Sequence, residues 1–147
     1  MSKVEIQVQK LHVDVKMPAY AHHGDAGVDL YSTINHTLQP GERVLVPTGL
    51  KMAIPEGYEG QVRPKSGLAL KHGLTVLNTP GTVDAPYRGE VGVILINLDH
   101  KTPYEIKKGE KVAQMVFKKV EYATFTETSE LTVTTRGEGG YGSTGKH

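Results

Sequence analysis

The sequence predicts an all-β protein, an antiparallel sandwich or barrel of short strands with one short helix. Hydrophobic and polar residues alternate with a period of two along most of the chain, and helical periodicity is nearly absent. Pairs of Pro, Gly, Asn and Asp interrupt this alternation at short intervals. Many short strands divided by such turns are typical of antiparallel sandwiches and barrels.

The strands are expected in the following order. A first alternating stretch runs over Val4, Ile6 and Val8, and a second runs over Leu11, Val13 and Val15. The second is out of phase by one residue, which predicts a bulge or turn near Gln9-Lys10. Further strands are predicted at residues 44–47, 50–54, 58–62, 74–77, 91–98 and 112–120, and a helix at 66–71. The Thr-rich stretch 124–135 is expected to be extended.

Composition limits the class of partner. The 147 residues suffice for one domain, and the 17 Lys and Arg nearly balance the 16 Asp and Glu, giving a net charge of +1. No basic block stands out, which argues against polymeric nucleic acid but permits a single nucleotide. There is no cysteine, no apolar signal-peptide core and no membrane-length apolar run. We therefore expect a soluble, cytoplasmic protein without a membrane partner.

The last residues predict a flexible arm, residues 136–147, that follows a β domain at 1–135. Five glycines in 136–145 allow the backbone to approach a ligand closely. Interleaved among them are Arg136, which can neutralise phosphate, Tyr141, which can stack on a base, and the Ser143-Thr144 hydroxyls. The arm is therefore expected to close over a molecule that carries phosphates and a ring. The alternative is an ordinary disordered Gly-rich terminus.

Asp84 is the best candidate for a catalytic base. Without cysteine or a trustworthy Ser-His-Asp order, water is the expected nucleophile, and its activation needs a carboxylate. Asp84 lies in a Pro-, Gly- and Asn-rich segment, residues 78–90, which predicts a tight hairpin between the strands at Leu74 and Val91. The exposed backbone of such a tip could read a pyrimidine edge. Alternatively, Asp84 only caps a turn.

Three further positions leave alternatives open. Lys65, Ser66 and Gly67 lie at the start of the predicted helix and could attract an anion. Such a segment is more often an ordinary helix start, in which Ser is the N-cap and Lys is solvated. Asp29 lies between apolar residues at a strand start, so it is either a paired, partly buried carboxylate or part of a site. His22 and His23 lack ligand spacing and are expected in a surface loop.

Five segments together resemble, in order and spacing, the five motifs of the trimeric dUTPase family. They lie at residues 26–30, 63–69, 81–90, 109–114 and 136–145, so the resemblance covers nearly the whole chain. It implies a jelly-roll fold, a homotrimer with shared active sites, and Mg²⁺-assisted hydrolysis of dUTP to dUMP and pyrophosphate. This activity would limit uracil in DNA and supply dUMP for dTMP synthesis.

The resemblance also implies a role for individual residues. Asp84 would orient the water that attacks the α-phosphorus and would contact the sugar 3′-hydroxyl. Uracil would pair with Asn78, Gly81, Thr82 and Val83, and deoxyribose would pack on Tyr87. The phosphates would contact Lys65, Ser66, Gly67 and Gln114, and the arm would add Arg136, Gly142, Ser143 and Thr144, with Tyr141 stacked over uracil. No side chain would bind the metal directly, and Asp29 would lie near its water shell.

Two positions depart from the family pattern. Lys65 stands where arginine is usual, so a point charge replaces a bidentate fork. Tyr141 stands where phenylalanine is usual, which keeps the stacking face and adds a hydroxyl. Two other functions stay open: a dCTP deaminase of the same architecture, and a binding protein that senses dUTP to control a partner.

Overall fold

The strands and the helix of this protein form a two-layer sandwich with a short third sheet. The structure, a computed structural model, describes residues 2–147. Its elements are β1 (Gln7–Lys10), β2 (Gly27–Tyr31), β3 (His36–Leu38), β4 (Arg43–Ala53), β5 (Tyr58–Arg63), α1 (Ser66–His72), β6 (Leu74–Val76), β7 (Gly81–Val83), β8 (Glu90–Asn97), β9 (Tyr104–Ile106) and β10 (Lys111–Lys119).

All strand pairings are antiparallel. The first sheet has the order β1-β4-β8-β6 and the second has the order β2-β10-β5-β7. Strands β3 and β9 form a separate pair. Each order begins and ends on a different strand, so the sheets are open and no barrel closes. The predicted all-β sandwich with one short helix is confirmed.

One core lies between the two large sheets, because alternate residues of each strand point inward. In β8 the buried positions include Val91, Val93 and Leu95, and in the second sheet they include Leu30 and Met115. All of these side chains belong to one packed cluster. Burial of a Val, Leu or Met side chain contributes about 1.5–3 kcal/mol, so this cluster fixes the strands that carry the polar face described below.

Two strand predictions near the N-terminus need correction. The stretch Leu11–Val15 is not a strand: the amide of Val15 donates to the carbonyl of His12 at 3.2 Å, and Val13 is 93% exposed. The chain turns directly after β1, close to the predicted phase change. The predicted strands 44–47 and 50–54 form the single strand β4, whose register shifts between Pro47 and Lys51.

The segment between β6 and β8 is not the tight hairpin that the sequence predicts. Strands β6 and β8 are neighbours, as expected, with Leu74 opposite Asn97. The chain between them, however, crosses to the other sheet and adds β7 beside β5, where Gly81 pairs with Val62. We call residues 77–89 the connecting segment. It therefore links both layers of the sandwich.

The helix and the C-terminal stretch complete the chain. Helix α1 begins at Ser66 as predicted and ends one residue later than predicted, before Gly73 in the left-handed conformation (φ 68°). Residues 121–147, which we call the C-terminal segment, form no strand pairing, so the Thr-rich part 124–135 joins no sheet. Among residues 2–147, no helix has the length and apolar character needed to cross a membrane.

Candidate active site

Polar side chains gather on the outward side of the second sheet, where β2, β10 and β5 lie side by side. Gln114 of β10 pairs with Asp29 of β2 on one side and with Arg63 of β5 on the other. Directly opposed residues point to the same face of a sheet. Lys65 and Lys111 lie beside these three residues. We call the surface formed by the five side chains the anion face, because all of them except Asp29 are cationic or can donate hydrogen bonds. Its members are Asp29, Arg63, Lys65, Lys111 and Gln114.

Asp29 is the centre of the anion face. Its Oδ1 lies 2.5 Å from the Nζ of Lys65 and its Oδ2 lies 3.1 Å from the Nζ of Lys111, while only 15% of its side chain is exposed. Burial opposes the charged form of this carboxyl, but the hydrogen bonds and charges of Lys65 and Lys111 outweigh it and lower the pKa of Asp29. The predicted alternative of a paired, partly buried carboxylate therefore describes its contacts.

Gln114 connects the anion face to the start of the helix. Its Nε2 donates to the carbonyl of Pro64 at 2.9 Å, directly before Lys65. A Cβ at Gly27 would lie 2.4 Å from the Oε1 of Gln114, so a glycine at this position leaves room for the amide. The two contacts together fix the orientation of the Gln114 side chain.

Ser66 and Gly67 lie exposed at the beginning of α1. The N-cap position is Lys65 (φ −100°, ψ 127°), and no side chain caps the helix. The interpretation of Ser66 as the N-cap is therefore wrong, because Ser66 is already the first helical residue. Apart from its two chain neighbours and the backbone of its own helix, no atom of the described chain lies within 4 Å of a Cβ built at Gly67. Nothing within the chain accordingly requires glycine there.

The connecting segment brings Asn78 next to Gly81. The Nδ2 of Asn78 lies 3.3 Å from a Cβ position built at Gly81, and the Cβ of Val62 is equally close. Gly81 is therefore enclosed between a side-chain amide and strand β5. Beyond it, Thr82 is exposed and Val83 packs against the core. Strand β7 is therefore held on one edge by β5, and Thr82 at its centre is exposed.

Asp84 follows β7 in a turn whose backbone closes on itself. The amide of Tyr87 donates to the carbonyl of Asp84 at 3.1 Å, and Nη1 of Arg88 donates to the carbonyls of Ala85 and Tyr87. Within residues 2–147, no group donates to the Asp84 carboxylate, which is exposed. The turn thus uses the main chain of Asp84, and its carboxylate does not cap it.

Tyr87 is held at the hydroxyl end of its ring. Its hydroxyl donates to the carbonyl of Glu90 at 2.9 Å. The ring lies over Gly89, where a Cβ would meet the hydroxyl oxygen at 2.3 Å and Cζ at 2.5 Å. Because 47% of Tyr87 remains exposed, one face of the ring is available for packing.

Within residues 2–147, the arm residues form no hydrogen bond to the anion face or to the connecting segment. In the described chain, all hydrogen bonds of residues 123–147 stay within that stretch. Nε of Arg136 donates to the carbonyl of Gly139 at 2.8 Å. Tyr141 is fully exposed and has a left-handed backbone (φ 51°). Gly142, Ser143 and Thr144 form consecutive exposed turns.

The predicted site residues therefore form three groups. Asp29, Lys65, Ser66, Gly67 and Gln114 lie together at the anion face, and Asn78, Gly81, Thr82, Val83, Asp84 and Tyr87 lie in the connecting segment. The arm residues form the third group. Sequence reasoning missed Lys111 and Arg63 as members of the first group. The adjacent residues Val112 and Ala113 are both buried and interrupt the period-two alternation of β10. This interruption is the feature of the sequence that could have identified Lys111.

Metal ligands are sparse in this arrangement. No group of three His, Asp or Glu side chains that could hold a metal ion occurs in the part of the chain that the structure describes. His22 and His23 are exposed in a loop, as expected, where the amide of His22 donates to Asp25. Both oxygens of Asp29 are engaged by lysines.

These features define a class: an open β-sandwich with a cationic face built around one carboxylate, suited to a small anionic ligand. The family model for dUTPase matches residues 13–145. The chain belongs to the dUTPase family. It is 53% identical to the deoxyuridine 5′-triphosphate nucleotidohydrolase of Fusobacterium nucleatum, over 99% of this chain and 100% of that protein.

Solved structures of phage dUTPases have the same fold. The dUTPase of Staphylococcus bacteriophage 80alpha, determined with dUpNHpp, superposes with a TM-score of 0.88 at 30% identity, covering 98% of this chain and 100% of that one. The dUTPase of phage phi11 of S. aureus, described with a structural Mg(II) ion, has a TM-score of 0.79 at 27% identity, covering 86% and 98% of the two chains. The predicted resemblance to the dUTPase family is confirmed.

Proposed function

We propose that this protein hydrolyses dUTP to dUMP and pyrophosphate, with Asp84 orienting or deprotonating the water that attacks the α-phosphorus. The observation that carries the proposal is the dUTPase family match over residues 13–145, within which Asp84 keeps an exposed carboxylate that accepts no hydrogen bond from the described chain. A base in this state has its lone pairs available for water.

The connecting segment is proposed to recognise deoxyuridine. Main-chain groups of Gly81, Thr82 and Val83, with the Asn78 amide, would pair with the uracil edge. Support comes from the close packing of Asn78 on Gly81, which places the Asn78 amide beside the main chain of β7. The half-exposed ring of Tyr87 would pack on deoxyribose and leave no room for a 2′-hydroxyl.

The anion face and the arm are proposed to bind the triphosphate. Ser66, Gly67 and Gln114 would donate to phosphate oxygens, and Lys65 would neutralise charge on the leaving pyrophosphate. The open space around Gly67 supports a close approach of the ligand to the helix start. Arg136 and the amides of Gly142, Ser143 and Thr144 would close on the γ-phosphate, with Tyr141 stacked over uracil.

Mg²⁺ fits this site as an ion held mainly by the substrate. Neither a three-ligand cluster within residues 2–147 nor a free oxygen on Asp29 offers the ion a protein cage. Mg²⁺ usually keeps several waters and binds substrate phosphates with few carboxylates, so this donor set is compatible with it. When bound, the ion would lower the charge of the phosphates, and Asp29 would lie near its water shell.

A homotrimer with shared active sites is part of the proposal. Its support is that the arm makes no hydrogen bond to the anion face or to the connecting segment of its own chain. The C-terminal segment also carries large apolar side chains that are exposed in the described chain, namely Tyr122, Phe125, Leu131 and Val133. Multi-angle light scattering should give three times the 16.0 kDa chain mass; a monomer with full activity would contradict shared sites.

The proposed cellular role is to limit uracil in DNA and to supply dUMP for dTMP synthesis in the cytoplasm. Depletion of the protein in its host should raise the uracil content of genomic DNA, which uracil excision followed by strand-break analysis measures. Unchanged uracil after complete depletion would contradict this role.

The activity is tested by incubation of the purified protein with Mg²⁺ and each deoxynucleoside triphosphate in turn. Pyrophosphate release from dUTP alone is expected. Ammonia release from dCTP would indicate the deaminase instead. Tight binding of dUTP without turnover would indicate the sensing protein, for which a water-activating Asp84 has no use.

A further inference from the structure

We propose that Lys111 is a positioning residue, which keeps the Asp29 carboxylate paired while Lys65 moves from Asp29 to a substrate phosphate. The inference deepens the proposed function and rests on it. Lys65 Nζ lies 2.5 Å from Asp29 Oδ1. The carboxylate fixes the position of this ammonium group, whose remaining N–H donors reach only what lies beside Asp29, so Lys65 has to leave Asp29 to follow a phosphate at the start of α1.

A β-bulge brings Lys111 to the required face. Strand β10 pairs with β2 through Ala113 opposite Leu30, and the register then shifts so that Lys111 lies opposite Tyr31. Tyr31 and Asp29 point to the same side of β2, because they are two residues apart. An unbulged ladder would put Lys111 opposite Ser32, which is only 2% exposed and lies on the buried side. Bulges commonly re-aim a side chain in this way.

The three side chains of the cluster differ in exposure. Asp29 is 15% exposed, Lys65 28% and Lys111 50%. A largely buried carboxylate that loses its only cationic partner pays a large desolvation cost, whereas one with two partners can release either. Lys111 Nζ, at 3.1 Å from Asp29 Oδ2, occupies the second oxygen and leaves Lys65 exchangeable.

The charges of the cluster agree with this division of roles. The hydrogen bond and charge of Asp29 raise the pKa of Lys111, so its ammonium stays protonated. Two ammonium groups on one carboxylate leave the trio with a net charge of +1. An approaching phosphate is therefore attracted to a cluster in which one cation is in excess.

A double-mutant cycle on binding of dUpNHpp with Mg²⁺ tests the inference. Lys111→Met should weaken binding about tenfold, because Lys65 is then the sole partner of Asp29 and is held in place. In an Asp29→Asn background Lys65 is no longer held, so Lys111→Met should change affinity by less than about twofold. An equal loss in both backgrounds would overturn the inference, since Lys111 would then contact the ligand itself. So would the absence of any loss.

Two variants control for charge and for folding. Lys111→Arg keeps the cation and should restore binding. Lys108→Met removes another ammonium, three residues earlier, from a surface pair in which Nζ lies 2.8 Å from Asp14 Oδ2, and it should leave affinity unchanged. Thermal unfolding of each variant checks the fold. A wild-type protein that does not bind dUpNHpp would overturn the proposed function and this inference with it, whereas normal wild-type binding with equal losses overturns the inference alone.

Discussion

The anion face and the C-terminal arm both carry groups suited to phosphate, yet the chain supports them in opposite ways. Side chains of the anion face are held by neighbours: Lys65 and Lys111 by Asp29, and Gln114 by the carbonyl of Pro64. Within residues 2–147, the guanidinium of Arg136 in the arm hydrogen-bonds only within its own turn. A site of the first kind is organised before a ligand arrives, while the second must order when the ligand binds, at a cost in conformational entropy.

The largest effect is expected at Asp84, which lies in the β domain and not in the arm. Asp84→Asn should lower kcat for dUTP by about 10²–10⁴-fold, the usual contribution of a general base. Binding of dUpNHpp and the unfolding temperature should stay unchanged, because the carboxylate is exposed and accepts no hydrogen bond within residues 2–147. Steady-state kinetics measures kcat, and calorimetry measures both dUpNHpp binding and the unfolding temperature. The matched control is Glu56→Gln, another exposed carboxylate in a turn, and wild-type turnover in Asp84→Asn would refute the assignment.

Removal of the arm is expected to have the next largest effect. A chain that ends at Thr135 should lose about 10²-fold in kcat/KM, because Arg136 and the arm amides would no longer stabilise phosphate charge. Its unfolding temperature should not change, since the hydrogen bond that joins residues 136–147 to the rest of the described chain is local and exposed, from the Gly137 amide to Thr134 Oγ1 at 3.2 Å. Deletion of Lys146 and His147 alone is the control. Unaltered kinetics in the longer truncation would show that the arm does not close the site.

A smaller effect is expected from a methyl group at Gly89. Gly89→Ala should push the Tyr87 ring aside, because a Cβ there would lie 2.3 Å from the ring hydroxyl. The preference for dUTP over UTP should fall about tenfold, in the range that a steric pocket can supply against an added hydroxyl. The ratio of kcat/KM for the two nucleotides measures this preference. If the ratio is unchanged while the fold is intact, Tyr87 does not exclude the 2′-hydroxyl.

The smallest effect concerns stability in acid. The folded-state pKa of Asp29 lies below the value of 3.8 expected when unfolded. Its contribution to stability is therefore complete above pH 3.8, declines as the pH falls towards the folded-state pKa, and vanishes below it. Urea unfolding of the wild type and of Asp29→Asn between pH 2 and 6 should show free energies of unfolding that converge on acidification. If the difference in free energy of unfolding between the wild type and Asp29→Asn does not change with pH, the difference arises from packing and not from the charge of Asp29.

Much of the fold could be predicted because its signals are local. The period-two alternation of β8 predicts its buried Val91, Val93 and Leu95, and the predicted helix at 66–71 matches α1 to within one residue. The return of the chain to the other sheet at β7 could not be predicted. A three-residue strand has no periodicity of its own, and its pairing with β5 depends on the packing of the two layers.

The candidate site was predicted unevenly for a similar reason. Asp29, Asp84 and Gln114 stand in motifs that resemble a family, so the sequence identifies them. The contact between Lys111 and Asp29 depends on a bulge, and a bulge changes which face a side chain joins without changing residue type. Likewise, the sequence predicts a cation at Lys65, but its ion pair with Asp29 needs the β2, β10 and β5 neighbourhood.

The path of the connecting segment also has a mechanical consequence. Its ends continue into β6 and β8 of one layer, and its middle is bonded to β5 of the other. The segment thus joins the two layers of the sandwich. Sliding of one layer over the other would strain Gly81–Val83 first. Backbone amides of this stretch that are bonded to β5 should consequently exchange with solvent only when the whole domain opens, a rigidity that suits a surface which must distinguish one pyrimidine from another.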